Sequence, residues 1–160
     1  MSILTGVKVD QVDTTQQFAL GTIYDGYNGK RYKYVKYSNG TADLTLAVGD
    51  MLFYVDDTGF DAHTVEADNS DASGQPIGAG AACVAVTTDL SYLWIQTYGN
   101  CTLAVALGGS AGDGDPLTVK GAADKALTKA AEADSTGVYK DVCAVAIDAS
   151  GKQVFLKCVA

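Results

Sequence analysis

Apolar and polar positions alternate along this chain in short runs. "FALGTIY" (18–24), "KRYKYVKY" (30–37), "GDMLFYV" (49–55), "LWIQTYG" (93–99), "CTLAVAL" (101–107), "PLTV" (116–119), "VCAVAI" (142–147) and "QVFLKCV" (153–159) are each too short for an amphipathic helix. Gly, Asp and Asn punctuate them, which is the signature of strands joined by tight turns. The expected fold class is all-β, sandwich- or barrel-like. Residues 18–160 are expected to form one β-rich domain. "GGSAGDGD" at 108–115 is the best joint between two lobes, 18–107 and 108–160. Residues 1–17 show no sustained period and read as an N-terminal arm whose sizeable apolar anchors are Ile3, Leu4 and Val7.

The clearest local element is a hairpin around "DGYNG", whose Asp-Gly and Asn-Gly pairs supply positive-φ positions. In its second strand Tyr32, Tyr34 and Lys36 point one way and Arg31, Lys33, Val35 and Tyr37 the other. Neither face is purely apolar, so an edge strand is expected, protected by its lysines from unwanted pairing. The alternative is a docking strip of Lys30, Arg31, Lys33 and Lys36 that meets an acidic surface.

Beyond Gly40 one pattern runs twice. "GDMLFYVDDTGFDAHTVEAD" and "GDPLTVKGAADKALTKAAEAD" share Gly-Asp-x-Leu, a turn, a Thr-bearing stretch and a closing Glu-Ala-Asp. Each leads through a Gly-containing linker to alternating apolar strands, so a duplicated strand–turn–strand unit is expected. Residues 122–133 have high helix propensity. Their counterpart does not, which favours a hairpin with a short helix in reserve.

Composition and charge narrow the function classes. The chain has 160 residues, 48% hydrophobic, with 18 Gly, 2 Pro and a net charge of −8. No Lys or Arg occurs between Tyr37 and Val119, whereas eleven acidic residues do, among them Asp43, Asp50, Asp89 and Asp115. That balance argues against general nucleic-acid binding, which needs clustered cations over a broad face. No charged leader precedes an apolar stretch and no run nears the ~18 apolar residues of a membrane span, so retention in a cytoplasm is expected. Cys83, Cys101, Cys143 and Cys158 sit in apolar runs without a Cys-x-x-Cys pair; buried free thiols are expected and structural zinc is not.

Candidate chemistry is sparse. His63, the single histidine, lies in a Thr- and Asp-rich turn rather than beside a strained nucleophile. Gly29-Lys30 and Gly151-Lys152 lack the Ser or Thr and the upstream glycine of a phosphate loop. "DGYNG" and "GDGDP" lack the twelve-residue ligand pattern of a calcium loop, and Asp56-Asp57 and Asp113/Asp115 read as solvated turn residues. No enzyme, metal or cofactor is expected. Trp94 reads as a core aromatic; with Tyr92 and Tyr98 it is alternatively a stacking platform for sugars or a receptor.

Four segments carry a resemblance: "LGTIYDGYNGKRYKYVKY", "LAVGDMLFYV", "LWIQTYGNCTLAV" and "GDGDPLTV…VCAVAI…VFLKCV". In order and spacing the chain resembles the capsid decoration, or cement, proteins of tailed bacteriophages. The resemblance implies a β-rich homotrimer made in the bacterial host cytoplasm. It implies a place on the outer surface of an icosahedral shell, bridging neighbouring major capsid protein subunits. The arm (Ile3, Leu4, Val7) and the basic strip (Lys30, Arg31, Lys33, Lys36) are then the expected docking elements. The alternative function is a carbohydrate- or receptor-binding β-module on a virion or cell surface.

Overall fold

Short alternating runs separated by Gly-Asp and Asn-Gly turns fold as strands wherever a neighbouring backbone completes their hydrogen bonds. The computed structural model describes residues 7–26, 28–54, 60–69, 76–130 and 142–159. Eleven strands lie among them: β1 (Val12–Asp13), β2 (Ile23–Asp25), β3 (Arg31–Tyr37), β4 (Met51–Tyr54), β5 (Thr64–Val65), β6 (Ile77–Ala82), β7 (Tyr92–Thr102), β8 (Pro116–Thr118), β9 (Thr128–Lys129), β10 (Ala144–Asp148) and β11 (Gln153–Lys157). The main path of the sheet runs β2-β3-β7-β11-β10-β8-β9, with β1 and β6 also on β7, β4 on β6 and β5 on β3. All strand pairs are antiparallel except β3 with β5. The all-β, sandwich-like class expected from the sequence is the one observed.

The first hairpin forms as its turn residues require. Gly26 N–H bonds to the Lys30 carbonyl at 2.8 Å and Gly29 takes φ +77°, closing β2 on β3. The edge position expected for β3 is corrected. β2 and β7 flank it, and both of its faces are buried. Tyr32 and Tyr34 pack with Trp94, while Val35 and Tyr37 pack with Leu52, Leu93 and Ile95 on the other side. Tyrosine allows this because its ring buries like a hydrocarbon while its hydroxyl finds a partner. Tyr34 Oη donates to Asp13 at 2.7 Å, and Tyr37 Oη donates to the Leu44 carbonyl.

The duplication is physical. β4, β6 and β7 form consecutive antiparallel neighbours, and so do β8, β10 and β11. Gly49 N–H bonds to the Ala82 carbonyl as Gly114 N–H does to Ala146, and Ala82 and Ala146 return the bond to Asp50 and Asp115. In each copy the aspartate carboxylate accepts the N–H three residues earlier, from Ala47 or Gly112, at 2.8 Å. A lysine completes each turn: Lys125 Nζ is 3.6 Å from Asp50, and Lys129 Nζ is 2.9 Å from Asp115. Lys125 belongs to the second copy and therefore straps it to the first.

That strap explains why helix propensity loses in residues 122–130. Lys125 N–H bonds to the Ala67 carbonyl, its carbonyl accepts Met51 N–H, and Asp124 accepts Asn69 N–H. Each bond lies across the fold, where a helix would direct the same groups along its own axis. Residues 122–127 are loop, and 128–129 are the return strand of a β8–β9 hairpin; 131–133 lie outside the described residues. One core cluster joins Met51, Phe53 and Ala81 to Leu117, Leu127, Val154 and Leu156, so apolar packing crosses the line at residue 108.

Candidate docking surface

Strand alternation in the second copy leaves one apolar set unburied. Ala144, Ala146, Val154 and Leu156 point into the core. Register therefore puts Val145, Phe155 and Asn100 together on the opposite face, with Lys157 beside Tyr98 and Gln153 beside Thr102. Tyr98 is 46% exposed and Ile147 45%; Val145 and Phe155 are half-buried. The Tyr98 and Phe155 rings meet edge to face at 5.0 Å. No carboxylate occupies positions 98, 100, 102, 145, 147, 153, 155 or 157. Asp148, the register partner of Gln153, does place a carboxylate on this face; it accepts hydrogen bonds from Gly151 N–H and Ser150 Oγ, which hold its carboxyl below the usual range.

Cations rim this face. Arg31 pairs in register with Tyr98 and carries an exposed 2.7 Å ion pair to Asp25. Lys30 lines a shallow depression with Asn100, Ile147 and Gln153. Gly99 permits that approach: its φ is +96°, and a Cβ there would lie 3.1 Å from the Gly29 carbonyl oxygen and 3.3 Å from Lys30 Cγ.

The basic strip expected from sequence divides. Lys30 and Arg31 reach this surface. Lys33 is corrected from an exposed strip residue to a buried one, 2% exposed. Its Nζ lies over the rings of Tyr54 and Phe60, 5.3 Å from each centroid, and burial pushes its ammonium pKa down. Lys36 is half-buried between Tyr92 and Thr64. Ile3 and Leu4 lie outside the described residues. Val7 is half-buried and packs with Val9, Phe18 and Leu20 on the Tyr32/Tyr34/Trp94 cluster, and β1 pairs with β7.

Trp94 is 1% exposed, with the Phe18 and Tyr34 rings each at 5.2 Å. Of the three aromatics named as a stacking platform, Trp94 is core, Tyr92 is half-buried and Tyr98 is exposed. All four cysteines are free thiols, two buried and two half-buried. Burial raises the Cys83 thiol to about 12. His63 is half-buried; burial and the Lys33 cation lower its pKa, with Asp61 opposing. Among the described residues no cluster of three His, Cys, Asp or Glu is placed to hold a metal, and no helix is long and apolar enough to cross a membrane. Asp56 and Asp57 lie outside the described residues.

Val145, Ile147, Phe155 and Lys157 escaped sequence reasoning. The signal was present in "VCAVAIDASGKQVFLKCVA", where apolar residues occupy both parities of the strands instead of one. Comparison of the chain with protein-family models, curated proteins and solved structures finds no match.

Proposed function

We propose that this protein is a structural capsid decoration, or cement, protein that binds the outer surface of an icosahedral phage shell and stabilises it by bridging major capsid protein subunits. The supporting observation is the Tyr98/Phe155/Val145/Ile147 face with Lys30 and Lys157 at its rim, beside the Arg31–Asp25 ion pair, on a chain of net charge −8. A contiguous exposed apolar face marks an interaction surface, and a cationic rim selects an acidic counterpart. Exposed ion pairs contribute about 0.2–1 kcal/mol each, so the aromatic centre supplies affinity and the rim supplies orientation and encounter rate. Assembly as a homotrimer presents three such faces at once. Contacts of roughly 800 Å² per partner then gain strength through simultaneous engagement.

The test is co-sedimentation with undecorated shells of wild type and of a Tyr98→Glu/Phe155→Glu double variant. Removing two central anchors is expected to weaken binding by roughly 30-fold to 1,000-fold, with an unchanged circular dichroism spectrum. Equal occupancy of both proteins at low and physiological salt refutes the face. Failure of the wild type to bind the shells refutes the function.

A further inference from the structure

The chain holds two Asn-Gly pairs, Asn28-Gly29 in the β2–β3 turn and Asn39-Gly40 just after β3. Such a pair can cyclise without an enzyme, because glycine carries no Cβ to keep its backbone nitrogen away from the asparagine side-chain carbonyl. The fold treats the two differently. Asn28 and Gly29 are both exposed, and a Cβ on Gly29 would meet nothing within 4 Å. Gly29 N–H donates to the Gly26 carbonyl at 3.3 Å, longer than an ordinary backbone bond. Lys30 N–H donates to Asn28 Oδ1 at 3.3 Å, the atom on which negative charge collects when that carbonyl is attacked. Asn39, in contrast, is half-buried; its side-chain amide donates to Asp43 and its backbone N–H donates to Asp89 at 3.0 Å. Negative charge developing on the Asn39 side chain would lie beside those two carboxylates.

We propose that Asn28-Gly29 is a site of spontaneous deamidation and that the fold protects Asn39-Gly40 from the same reaction. The Gly29 nitrogen bonds to Asn28 Cγ, the Cγ–Nδ2 bond breaks, and the Gly29 amide proton leaves with that nitrogen as ammonia. Water then opens the resulting succinimide at either carbonyl. Opening at Cγ leaves aspartate in place of Asn28, and opening at the main-chain carbonyl leaves isoaspartate, whose backbone is one atom longer. Either product puts a new carboxylate beside Lys30 and close to the Arg31–Asp25 ion pair. The Gly29 carbonyl oxygen lies against Gly99, so the isoaspartyl product lengthens a turn that packs on the strand carrying Tyr98. The modification is chemistry of the turn itself and stands or falls without the docking reading.

Incubating the folded full-length chain in mildly alkaline buffer made with heavy-oxygen water, followed by peptide mapping in a mass spectrometer, tests this. Asn28 is expected to convert roughly 10- to 100-fold faster than Asn39, because the charge-assisted Asn39–Asp43 bond must break before Asn39 can cyclise. The product is expected to carry a heavy oxygen and to include isoaspartate. In urea, where both turns are lost, the two pairs are expected to convert at similar rates. An Asn39 that converts as fast as Asn28 in the folded chain overturns the proposal, as does an Asn28 that stays intact while the unfolded chain converts. Aspartate without isoaspartate overturns the cyclic route. Ion-exchange chromatography supplies a check by variant: the acidic species that accumulates in wild type is expected to be lost in Asn28→Gln, whose longer side chain cannot close the five-membered ring. Its appearance there at the wild-type rate overturns the site.

Discussion

Replacing Lys33 separates a surface lysine from a buried one. Met keeps the unbranched stem that fills the space beside Tyr54 and Phe60 and removes only the ammonium. Taking an ammonium out of water costs several kcal/mol after relaxation, and two ring faces offset about 0.5–2 kcal/mol each. The remainder predicts that Lys33→Met is more stable than wild type by about 1–3 kcal/mol at pH 7. Lys33→Glu places an anion against the same ring faces. It is predicted to cost about 4 kcal/mol or more, a large fraction of a typical domain's stability.

The pH dependence has a definite sign. The folded-state pKa of Lys33 lies below its ordinary value because burial disfavours the charged form. Below the folded pKa the amine is charged in both states, and folding bears the full burial cost. Between the folded and unfolded pKa values the unfolded chain binds more protons, so wild-type stability rises with pH relative to Lys33→Met. Urea unfolding of both proteins at pH 7 and pH 10 therefore measures a gap that narrows at the higher pH. A Lys33→Met protein less stable than wild type by 1 kcal/mol or more, with a gap indifferent to pH, would refute the buried-cation argument.

The duplicated Gly-Asp turns make a matched pair. Gly49 and Gly114 have φ of +88° and +85°, yet a Cβ on Gly49 would lie 2.6 Å from the Thr102 carbonyl oxygen while one on Gly114 meets nothing within 4 Å. Gly114→Ala is predicted to cost about 1–2 kcal/mol from backbone conformation alone, and Gly49→Ala at least twice that; equal losses in urea unfolding would show that the close approach is not felt. Trp94→Ala opens a cavity among Phe18, Tyr34 and Tyr24 and is predicted to cost about 3–5 kcal/mol. A loss under 1 kcal/mol would return Trp94 to the surface.

The sequence by itself determined the strands, their turns and the duplication, because these depend on neighbours within a few residues. Asn28-Gly29 sets the first hairpin, and Gly-Asp-x-Leu sets the same hydrogen-bonded turn at 49–52 and 114–117. Only the tertiary structure decided which face of each strand meets water. In β3 the mixture of Tyr and Lys reads equally as edge or centre. Pairing with β7 on a second edge, and packing of Tyr54 and Phe60 over Lys33, made it central. Residues 122–130 are helical by local entropy, but their donors and acceptors bond across the fold to Ala67, Met51 and Asn69. The Tyr98/Phe155 face was hidden for the same reason. An apolar residue at each parity states that both faces can be buried, and only the arrangement of neighbouring elements shows which one has been left open.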